Sequence, residues 1–562
     1  MIHLIKSNAA RLNNPVSITI FIAFFFGGAI SVFGASIVCI TALSFIIFSV
    51  YRSKKLHIGF GLPMAASCIL LLGYLLSCIN AIDEGMALLG FLRMFSVLTF
   101  VLLMYQQFDR KGRTDIWDAV PMTGALSVIM AICSVTLSLF TQSLHFFQNG
   151  RLGGVFEYAN TYALWLLLGM VVIAFKDKPG KSDHLFFALN VCGIFLTLSR
   201  SMFILTAGAL GLIFLIRKDS RKMIAAMSGA GLLAGILTGI LIGAGEWGRL
   251  AETPEQAGEW LSRLAYYRDA FPQIIQRPFG IGYLGYWYTQ PVWQTAFYET
   301  RFVHSSLMQF ALDIGVIPSL LIAGLGVFMI IRKKTPLMEK IIMILIFGHS
   351  LIDFDLEYLI LIFVICLCVK PEKAKAISPR IPAVILSLLI PVFMYVGVAA
   401  FSAERWDGAL AIRMYPGYTD ALEKRMIHAP SLESSADYAK RILERNPYNF
   451  VAIDTLARVC YRDGDFELAA ILKSKSLEIN RMFADDYLEF LEICSAGYER
   501  GLAVGNYESA ERFRQMIVSI PGRIEAVQNS LHADAYRLKH TPDLELPEFA
   551  AQYIENLRLA GA

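Results

Sequence analysis

Cysteine is scarce and unpatterned in this 562-residue chain. It has nine cysteines, with no C-x-x-C pair and no Cys/His spacing of the kind that binds zinc. Seven of them lie in apolar segments, whereas Cys460 and Cys494 lie in helical segments near the C-terminus. This distribution argues against a disulfide framework and a structural zinc site, and we expect thiols packed in the core.

Charge is also scarce over most of the chain. The first 402 residues carry only 52 charged residues, whereas residues 403–562 carry 44, of which 19 are basic and 25 acidic. The apolar fraction of 56% and the mean hydropathy of +0.54 exclude an ordinary soluble protein. We therefore predict an all-α, polytopic membrane domain over residues 1–401 and a mildly acidic, water-soluble domain over 402–562. The sequence gives no indication of nucleic-acid binding.

Apolar runs near the 20 residues needed to cross the hydrocarbon core recur along the first domain. They predict about 12 to 13 membrane spans. The candidate spans are 16–32, 34–50, 59–79, 86–105, 117–139, 161–175, 185–199, 202–216, 223–244, 308–331, 341–354, 356–369 and 381–401. The first run is too long for a signal peptide and has no small-residue cleavage site, so we interpret it as two helices that meet near Ser31 to Gly34.

Basic residues alternate between the loops. The loops 1–15, 51–56, 107–117, 176–184, 217–222, 332–340 and 369–380 carry 2, 3, 3, 3, 4, 4 and 4 Lys/Arg residues. The short loops between them are almost free of basic residues, with Arg151 and Arg200 as exceptions. The positive-inside rule then places the N-terminus in the cytoplasm and the C-terminal domain on the opposite side of the membrane.

The predicted external loop 246–302, which we expect to contain short helices, has arginine but no lysine. Arginine is the planar, bidentate cation suited to phosphate. Its aromatic residues fit either a membrane-interface belt or a surface on which sugars stack. The residues concerned are Arg249, Arg263, Arg268, Arg277 and Arg301, and the tryptophans Trp247, Trp260, Trp287 and Trp293.

The C-terminal domain contains a repeat. GDFELA at 464–469 returns 41 residues later as GNYESA at 505–510, each time between two helical patterns. ADYAKRILERNP at 436–447 is similar to the end of an earlier copy. The pattern resembles a lengthened tetratricopeptide repeat, and an unrelated helical bundle is the alternative. Either form offers a surface to a partner or to substrate.

Three ionisable residues stand at or inside the predicted membrane boundary, where charge is costly without water, a partner or a ligand. Arg200 lies between two spans, as a lipid-bound arginine or a ligand-binding one. Arg93 lies nearer the membrane centre and either pairs with a carboxylate or lines a site. His304 opens an apolar segment in which Met308, Ala311 and Gly315 form a small-residue stripe on one helix face. We predict that His304 lies at the outer end of a tightly packed helix, either as a cap or as a proton acceptor.

Three stretches, in this order, resemble the bacterial O-antigen ligase and O-antigen polymerase superfamily. They are GRLGGVFEYANTYA at 150–163, LSRS at 198–201, and SRLAYYRDAFPQIIQRPFGIGYLGY at 262–286 followed by HSSLMQFALDIGVIP at 304–318. The family's pattern of histidine, then Asn, Ser or Gln, then glycine after nine further residues is met by His304, Ser305 and Gly315. The resemblance covers roughly residues 120–370.

The resemblance implies a membrane glycosyltransferase that uses an undecaprenyl-diphosphate-linked glycan, with no nucleotide sugar, cofactor or required metal. It implies that Arg200 and Arg263 stabilise the departing diphosphate and that His304 deprotonates or orients the acceptor hydroxyl. Direct displacement at the anomeric carbon then implies inversion. Further substrate-binding residues are expected at Arg268, Arg151, Asn160 and Arg93. No external Asp-x-Asp motif offers a metal site, since Asp353 and Asp355 end a span and are expected to belong to its packing or cap.

Several functional readings stay open on the sequence. The acceptor is a glycan, a protein or another envelope polymer, and the C-terminal domain also suits a protein partner. Ligation is favoured because an external repeat domain suits binding of an acceptor, and polymerisation of lipid-linked repeat units is the runner-up. A flippase for the same lipid-linked sugars and a scaffold that recruits envelope enzymes are more remote alternatives.

Overall fold

The computed structural model describes residues 14–107, 116–136, 145–241, 259–369 and 374–560. Most of the predicted N-terminal loop, together with Trp247 and Arg249, lies outside the described residues. The described chain is almost entirely helical and contains two small two-stranded sheets. The long apolar runs form helices because their residues can bury side chains on every face while the backbone satisfies its own hydrogen bonds.

The first part of the chain is a bundle with these helices: α1 (Pro15–Phe25), α2 (Val32–Ser53), α3 (Leu62–Ser77), α4 (Glu84–Gln106), α5 (Ala119–Thr136), α6 (Ala159–Ala174), α7 (Lys181–Leu196), α8 (Arg200–Ile216), α9 (Arg221–Leu241), α10 (Glu259–Gln276), α11 (Gly285–Trp293), α12 (Ser306–Ile314), α13 (Val316–Ile331), α14 (Leu337–Ser350), α15 (Leu359–Cys368) and α16 (Arg380–Arg405). The predicted break near Ser31 is present, where Ser31 caps α2.

The chain is a multi-pass helical membrane protein. Five segments of the described chain are long and apolar enough to cross a membrane: Val32–Ser53, Leu62–Asn80, Glu84–Gln106, Lys218–Leu241 and Arg380–Arg405. Six shorter apolar helices accompany them, among them α6, α8 and α15. Every residue of α6 and of α15 is buried, so these two helices form the centre of the bundle. Large apolar side chains on α8, α9, α13 and α16 are exposed, as expected where helices meet lipid.

Two predicted spans have a different form in the structure. The segment 308–331 is not one helix, because α12 ends at Ile314 and α13 begins at Val316 after a sharp turn at Gly315. His304 therefore does not crown a continuous helix but lies two residues before α12. The segment 356–369 contains the 10-residue helix α15, which at 1.5 Å per residue is about 15 Å long. That length covers about half of the hydrocarbon core.

Contacts between loops show which segments share a side of the bundle. Strand β1 (Leu56–Ile58) pairs with β4 (Lys375–Ile377), which joins two basic loops that the charge pattern predicts on the same side. At the other end, the segment 285–302 contacts the C-terminal domain, for example through the 2.6 Å ion pair between Arg301 and Asp420. The backbone N–H of His532 also donates to the carbonyl of Thr295 at 2.8 Å. The absolute orientation stays a prediction.

The chain after α16 folds into helices α17 (Ala409–Met414), α18 (Thr419–Ile427), α19 (Leu432–Leu443), α20 (Phe450–Arg462), α21 (Phe466–Ile479), α22 (Ala484–Ala503), α23 (Tyr507–Val518), α24 (Ile520–Ser530) and α25 (Glu548–Ala560). The two repeated turns share a backbone form, since Gly464 and Gly505 have φ values of 83° and 72°. The following Asp465 and Asn506 each cap a helix with their side chains. The tetratricopeptide assignment and the domain limits stay predictions.

Candidate active site

Arg151 is held by a short hairpin. Strands β2 (Phe147–Gln148) and β3 (Arg151–Leu152) are joined by Asn149 and Gly150, whose φ values of 48° and 71° are those of a tight two-residue hairpin turn. Nε of Arg151 donates to the carbonyl of Thr197 at 3.0 Å. One guanidinium nitrogen also donates to Oδ1 of Asn160 at 3.0 Å. The hairpin thereby fixes an arginine beside the start of α6.

The starts of α6 and α8 meet beside this arginine. Asn160 lies in the first turn of α6, and Arg200 is the first residue of α8. The hydroxyl of Ser199 donates to Oδ1 of Asn160 at 2.9 Å, which ties the two helix starts together. Helix N-termini carry unpaired N–H groups and a partial positive charge. Their convergence makes this a favourable environment for an anion.

Asp353 is the common partner of the polar side chains around this point. It lies in the loop between α14 and α15, and none of its surface is exposed. Its two carboxylate oxygens each accept from the hydroxyl of Tyr158 at 2.9 Å, and Oδ2 also accepts from Asn160 at 2.9 Å. Arg263, on α10, donates to Oδ2 at 3.2 Å and to the carbonyl of Ile352 at 2.6 Å.

His304 lies on the other side of the same carboxylate. Its Nδ1 is 3.3 Å from Oδ1 of Asp353, close enough for electrostatic pairing but not aligned as a hydrogen bond. Burial by itself would raise the pKa of Asp353, but the His304 ring and the Arg263 guanidinium outweigh it and hold that pKa well below its ordinary value. The carboxylate is therefore ionised and can orient the imidazole.

Aromatic rings and one hydroxyl fix the position of His304. The ring centroids of Tyr266 and Phe354 lie 5.5 and 5.1 Å from that of His304. The hydroxyl of Tyr267 donates to the His304 carbonyl, and burial raises the pKa of Tyr267 to about 12, so this donor keeps its proton at neutral pH. With Nδ1 against Asp353, Nε2 is the ring nitrogen left for a ligand hydroxyl.

An arginine-lined cavity of about 530 Å³ opens next to this network. Arg151, Arg200 and Arg263 line it together with Asn160, while Glu259, 3.5 Å from Arg200, is the one carboxylate among its lining residues that the structure describes. The lining side chains carry three positive charges against one negative charge. Arginine binds phosphate oxygens with bidentate geometry, so the cavity suits a phosphate-containing ligand. His304 does not line the cavity. It lies against Asp353, which pairs with Arg263, and Arg263 lines the cavity.

The helix break at Gly315 packs against the Pro-Phe-Gly-Ile-Gly stretch at 278–282, and this contact positions α12. Gly315 has a φ of 91°, and a Cβ there would lie 2.5 Å from the carbonyl oxygen of Pro278. The N–H groups of Ile281 and Gly282 donate to the carbonyls of Leu312 and Asp313 at 2.7 and 3.1 Å, which caps the C-terminal end of α12. The Pro-Phe-Gly-Ile-Gly stretch thus fastens the helix that follows His304.

The opposite end of α12 is fastened to the loop that holds Asp353. The N–H of Ser306 donates to the carbonyl of Asp353 at 3.0 Å, and its hydroxyl accepts from the N–H of Leu356 at 3.1 Å. Both ends of this short helix are therefore pinned by backbone contacts. Such contacts hold His304 next to Asp353.

Two predicted site residues, Arg93 and Arg268, belong to other clusters. Arg93 is completely buried and forms a 2.7 Å ion pair with Glu357, and it also donates to the Glu357 carbonyl at 2.9 Å. It braces the turn that follows Asp353. Arg268 points to a different cluster, where its Nε donates to Thr295 at 3.2 Å. The structure thus brings Arg151, Asn160, Arg200 and Arg263 to one cavity. His304 lies next to this group, whereas Arg93 and Arg268 do not line the cavity.

Asp353, the central residue of this arrangement, is not among the predicted site residues. Together with Asp355, it was expected in the packing or cap of a span end. Asp355 fits that expectation, because it is buried and accepts from Thr161 at 2.7 Å and lies 2.6 Å from His349. Asp353 instead joins His304 and Arg263. Two signals pointed to the site: an acidic residue at the end of a span, and the Asn-Gly pair that predicts the hairpin before Arg151.

Comparison with known proteins identifies the class. Residues 185–323 match the family model described as O-antigen ligase. This matched stretch, about a quarter of the chain, is similar to an O-antigen ligase domain and contains Arg200, Arg263 and His304. The protein is accordingly a membrane enzyme of glycan processing. Arg151, Asn160 and Asp353 lie outside the matched residues, and the fold brings them to the domain. Comparison with curated proteins and with solved structures found no match.

Proposed function

We propose that this protein transfers a preassembled glycan from undecaprenyl diphosphate to an acceptor on the outer face of the bacterial cytoplasmic membrane. The observation that carries the proposal is the convergence of Arg151, Arg200 and Arg263 on one cavity, with Arg263 and His304 sharing Asp353. The three arginines suit the binding of a diphosphate, and the pair of His304 and Asp353 suits the activation of an acceptor hydroxyl.

The surroundings of the cavity support a donor that arrives from the lipid. Ile204 and Trp260 line the cavity and are 76% and 49% exposed on the bundle surface. A polyprenyl chain can therefore stay beside α8, in contact with the exposed apolar face of that helix, while its diphosphate enters the cavity. The diphosphate then meets three guanidinium groups and two helix N-termini.

The proposed reaction is a single displacement. The acceptor oxygen forms a bond to the anomeric carbon of the glycan, and the bond between that carbon and the diphosphate oxygen breaks. Nε2 of His304 takes the proton of the acceptor hydroxyl, and Asp353 stabilises the imidazolium that results. The electron pair of the broken bond stays on the diphosphate, whose charge the arginines balance. Attack opposite the leaving group inverts the anomeric configuration without a metal.

We propose the ligase type of reaction in preference to polymerisation. The C-terminal domain contacts the segment 285–302, where Arg481 donates to the carbonyl of Gln294 at 2.9 Å. That position suits a domain that presents an acceptor near His304. Polymerisation of lipid-linked repeat units uses the same chemistry. In a strain that lacks the protein, however, the lipid-linked glycan that accumulates differs between a polymerase and a ligase.

Two experiments test the proposal. In the first, purified protein in vesicles receives the lipid-linked glycan and the acceptor fraction of the producing bacterium, and released undecaprenyl diphosphate is measured. We expect His304→Ala and Arg200→Ala to lose transfer while the matched control His428→Ala, an exposed histidine, keeps it. Full transfer by folded His304→Ala protein would overturn the assignment, and glycan movement without transfer would indicate a flippase.

The second experiment separates ligase from polymerase. Lipid-linked glycans are extracted from a deletion strain and sized by mass spectrometry. Accumulation of full-length polymer on undecaprenyl diphosphate is the result expected for a ligase. Accumulation of single repeat units would instead assign the protein as a polymerase.

A further inference from the structure

A second cavity, of about 320 Å³, lies between α11 with its following loop and the C-terminal domain. Its volume is at the lower end of the range of small-ligand sites, about 300–1,000 Å³. We propose that this interdomain cavity binds sugar residues of a glycan chain. The proposal rests on the proposed function, since it assigns part of that enzyme's glycan substrate to a defined place.

The lining combines flat aromatic faces with amide and carboxylate groups. Trp287 and Phe297 contribute from the membrane domain, and Tyr448, Phe450 and Phe483 contribute from the C-terminal domain. These five side chains are half-buried, so parts of their rings remain accessible. Aromatic rings of this kind stack on the C–H faces of pyranoses, and amides and carboxylates bond their hydroxyls. This is the composition that a carbohydrate site requires.

The charge of the lining separates this cavity from the arginine-lined one. Glu299 and Glu423 line it, whereas neither lysine nor arginine does among the residues that the structure describes. A diphosphate would be repelled here, because nothing in the lining balances its charge. An uncharged sugar residue, which offers several hydroxyl donors to carboxylate and amide oxygens, fits the lining better.

One buried polar group lacks a partner at this place. Gln290, 2% exposed, lines the cavity and donates through Nε2 to the carbonyl of Thr300 at 2.8 Å. Its Oε1 is buried and has no hydrogen-bond partner among the described residues. An unmet buried acceptor costs about 1–3 kcal/mol, so native structures keep few of them. A sugar hydroxyl is a donor of the kind that this oxygen lacks.

The interdomain cavity is connected to the candidate active site through aromatic rings. Tyr298 lines the cavity, and its ring centroid is 4.5 Å from that of Tyr266. The Tyr266 ring in turn lies 5.5 Å from the His304 ring. The cavity thus lies two ring contacts away from the proton acceptor, which places a glycan chain held there near the candidate active site. A site in this position suits an extended glycan better than an isolated monosaccharide.

An extended peptide is the competing occupant, and the backbone around the cavity disfavours it. Peptides commonly bind by adding a strand to a free sheet edge or by placing a helix in an apolar groove. The extended backbone at Phe483 is already paired with Asp543, where the N–H of Ala484 donates to the Asp543 carbonyl at 2.6 Å. The remaining lining comes from helices and from loops without strand pairing, which favours a ligand bound through side chains.

The test measures binding of full-length protein in nanodiscs by saturation-transfer NMR. The probes are the glycan of the producing bacterium, released from its lipid by mild acid, and two defined oligosaccharides, chitohexaose and maltohexaose. We expect the released glycan to bind, and Trp287→Leu to weaken its binding at least tenfold. Trp293→Leu serves as the matched control, because Trp293 ends the same helix but does not line the cavity.

Two further variants make the outcome decisive. Glu423→Gln keeps the shape of its side chain and is expected to weaken glycan binding severalfold, which covers the case in which Trp287→Leu fails to fold. His304→Ala is expected to bind the glycan normally while losing transfer, so a failed active-site assignment and a failed glycan site give different results. Binding that Trp287→Leu and Glu423→Gln leave unchanged would overturn the proposal. So would the absence of glycan binding, or binding of a Ser/Thr-rich peptide that requires Trp287.

Discussion

Replacement of Asp353 by asparagine tests the proposed role of this residue in orienting His304. The neighbours of the carboxylate are hydrogen-bond donors, apart from the Tyr158 hydroxyl and Nδ1 of His304, which can each donate or accept. An amide nitrogen at the position of Oδ2 would face the donors of Asn160 and Arg263, at 2.9 and 3.2 Å. At the position of Oδ1 it would face the N–H of Phe354 at 3.0 Å and the His304 ring at 3.3 Å.

The second arrangement costs less, because it avoids turning a donor toward a guanidinium group. The asparagine N–H then points at Nδ1 of His304 and favours the tautomer that carries its proton on Nε2. That nitrogen cannot accept a proton from the acceptor hydroxyl. Loss of general-base catalysis lowers the reaction rate about 10²–10⁴-fold. The N–H of Phe354 also loses its charged acceptor at Oδ1, which is expected to lower stability by about 1.5–3 kcal/mol.

The assay is glycan transfer in vesicles, with thermal unfolding in detergent followed by intrinsic fluorescence. We expect Asp353→Asn to remain folded and to lose transfer about 10²–10⁴-fold. The double variant with His304→Ala should be no slower than His304→Ala alone, because both changes remove the same function. Independent, multiplying losses in the double variant would refute the view that the pair acts as one unit.

Three further predictions concern the cavity, the broken helix and pH. Arg200→Ala is expected to slow transfer about 100-fold through loss of charge stabilisation, while Arg268→Ala changes it less than about tenfold; equal losses in the vesicle assay would contradict the cavity assignment. Gly315→Ala should destabilise the protein by about 1–3 kcal/mol or more in thermal unfolding because of its positive φ and the contact with Pro278, whereas Gly324→Ala, which has open space around it, should not; equal melting temperatures for the two variants would contradict this reading. A depressed pKa of Asp353 in the folded state stabilises the protein above its unfolded value of about 3.9, and the effect is lost as pH falls toward the folded pKa. Asp353→Asn should therefore still melt below wild type at about pH 5, and equal melting temperatures there would show that the pKa is not depressed.

The helical membrane fold followed from the sequence, because spans of about 20 apolar residues have few alternatives in lipid. The break at Gly315 did not follow, since the apolar pattern continues through it. Only the contact with the Pro-Phe-Gly-Ile-Gly stretch, far from it in sequence, shows why the helix stops. Arg200, Arg263 and His304 were predicted from motifs, and the structure brings them near one another.

The roles of Arg93 and Asp353 depended on long-range contacts. The sequence predicts for Arg93 either a carboxylate partner or a place in the site, and for Asp353 a place in the packing or cap of a span end. Arg93 finds a carboxylate partner, Glu357, whose desolvated charge it balances. Asp353 instead stands between two groups that come from separate elements. The residue type alone does not show whether a buried charged group stabilises the fold or orients a reactive side chain. The contacts of that group in the structure show it.

The most direct test of the central claim is a cryo-EM structure of the protein in nanodiscs with undecaprenyl diphosphate bound. We expect phosphate oxygens within hydrogen-bond distance of Arg200 and Arg263, with Arg151 beside them and the polyprenyl chain along α8. A diphosphate bound elsewhere, with the arginine-lined cavity empty, would contradict it.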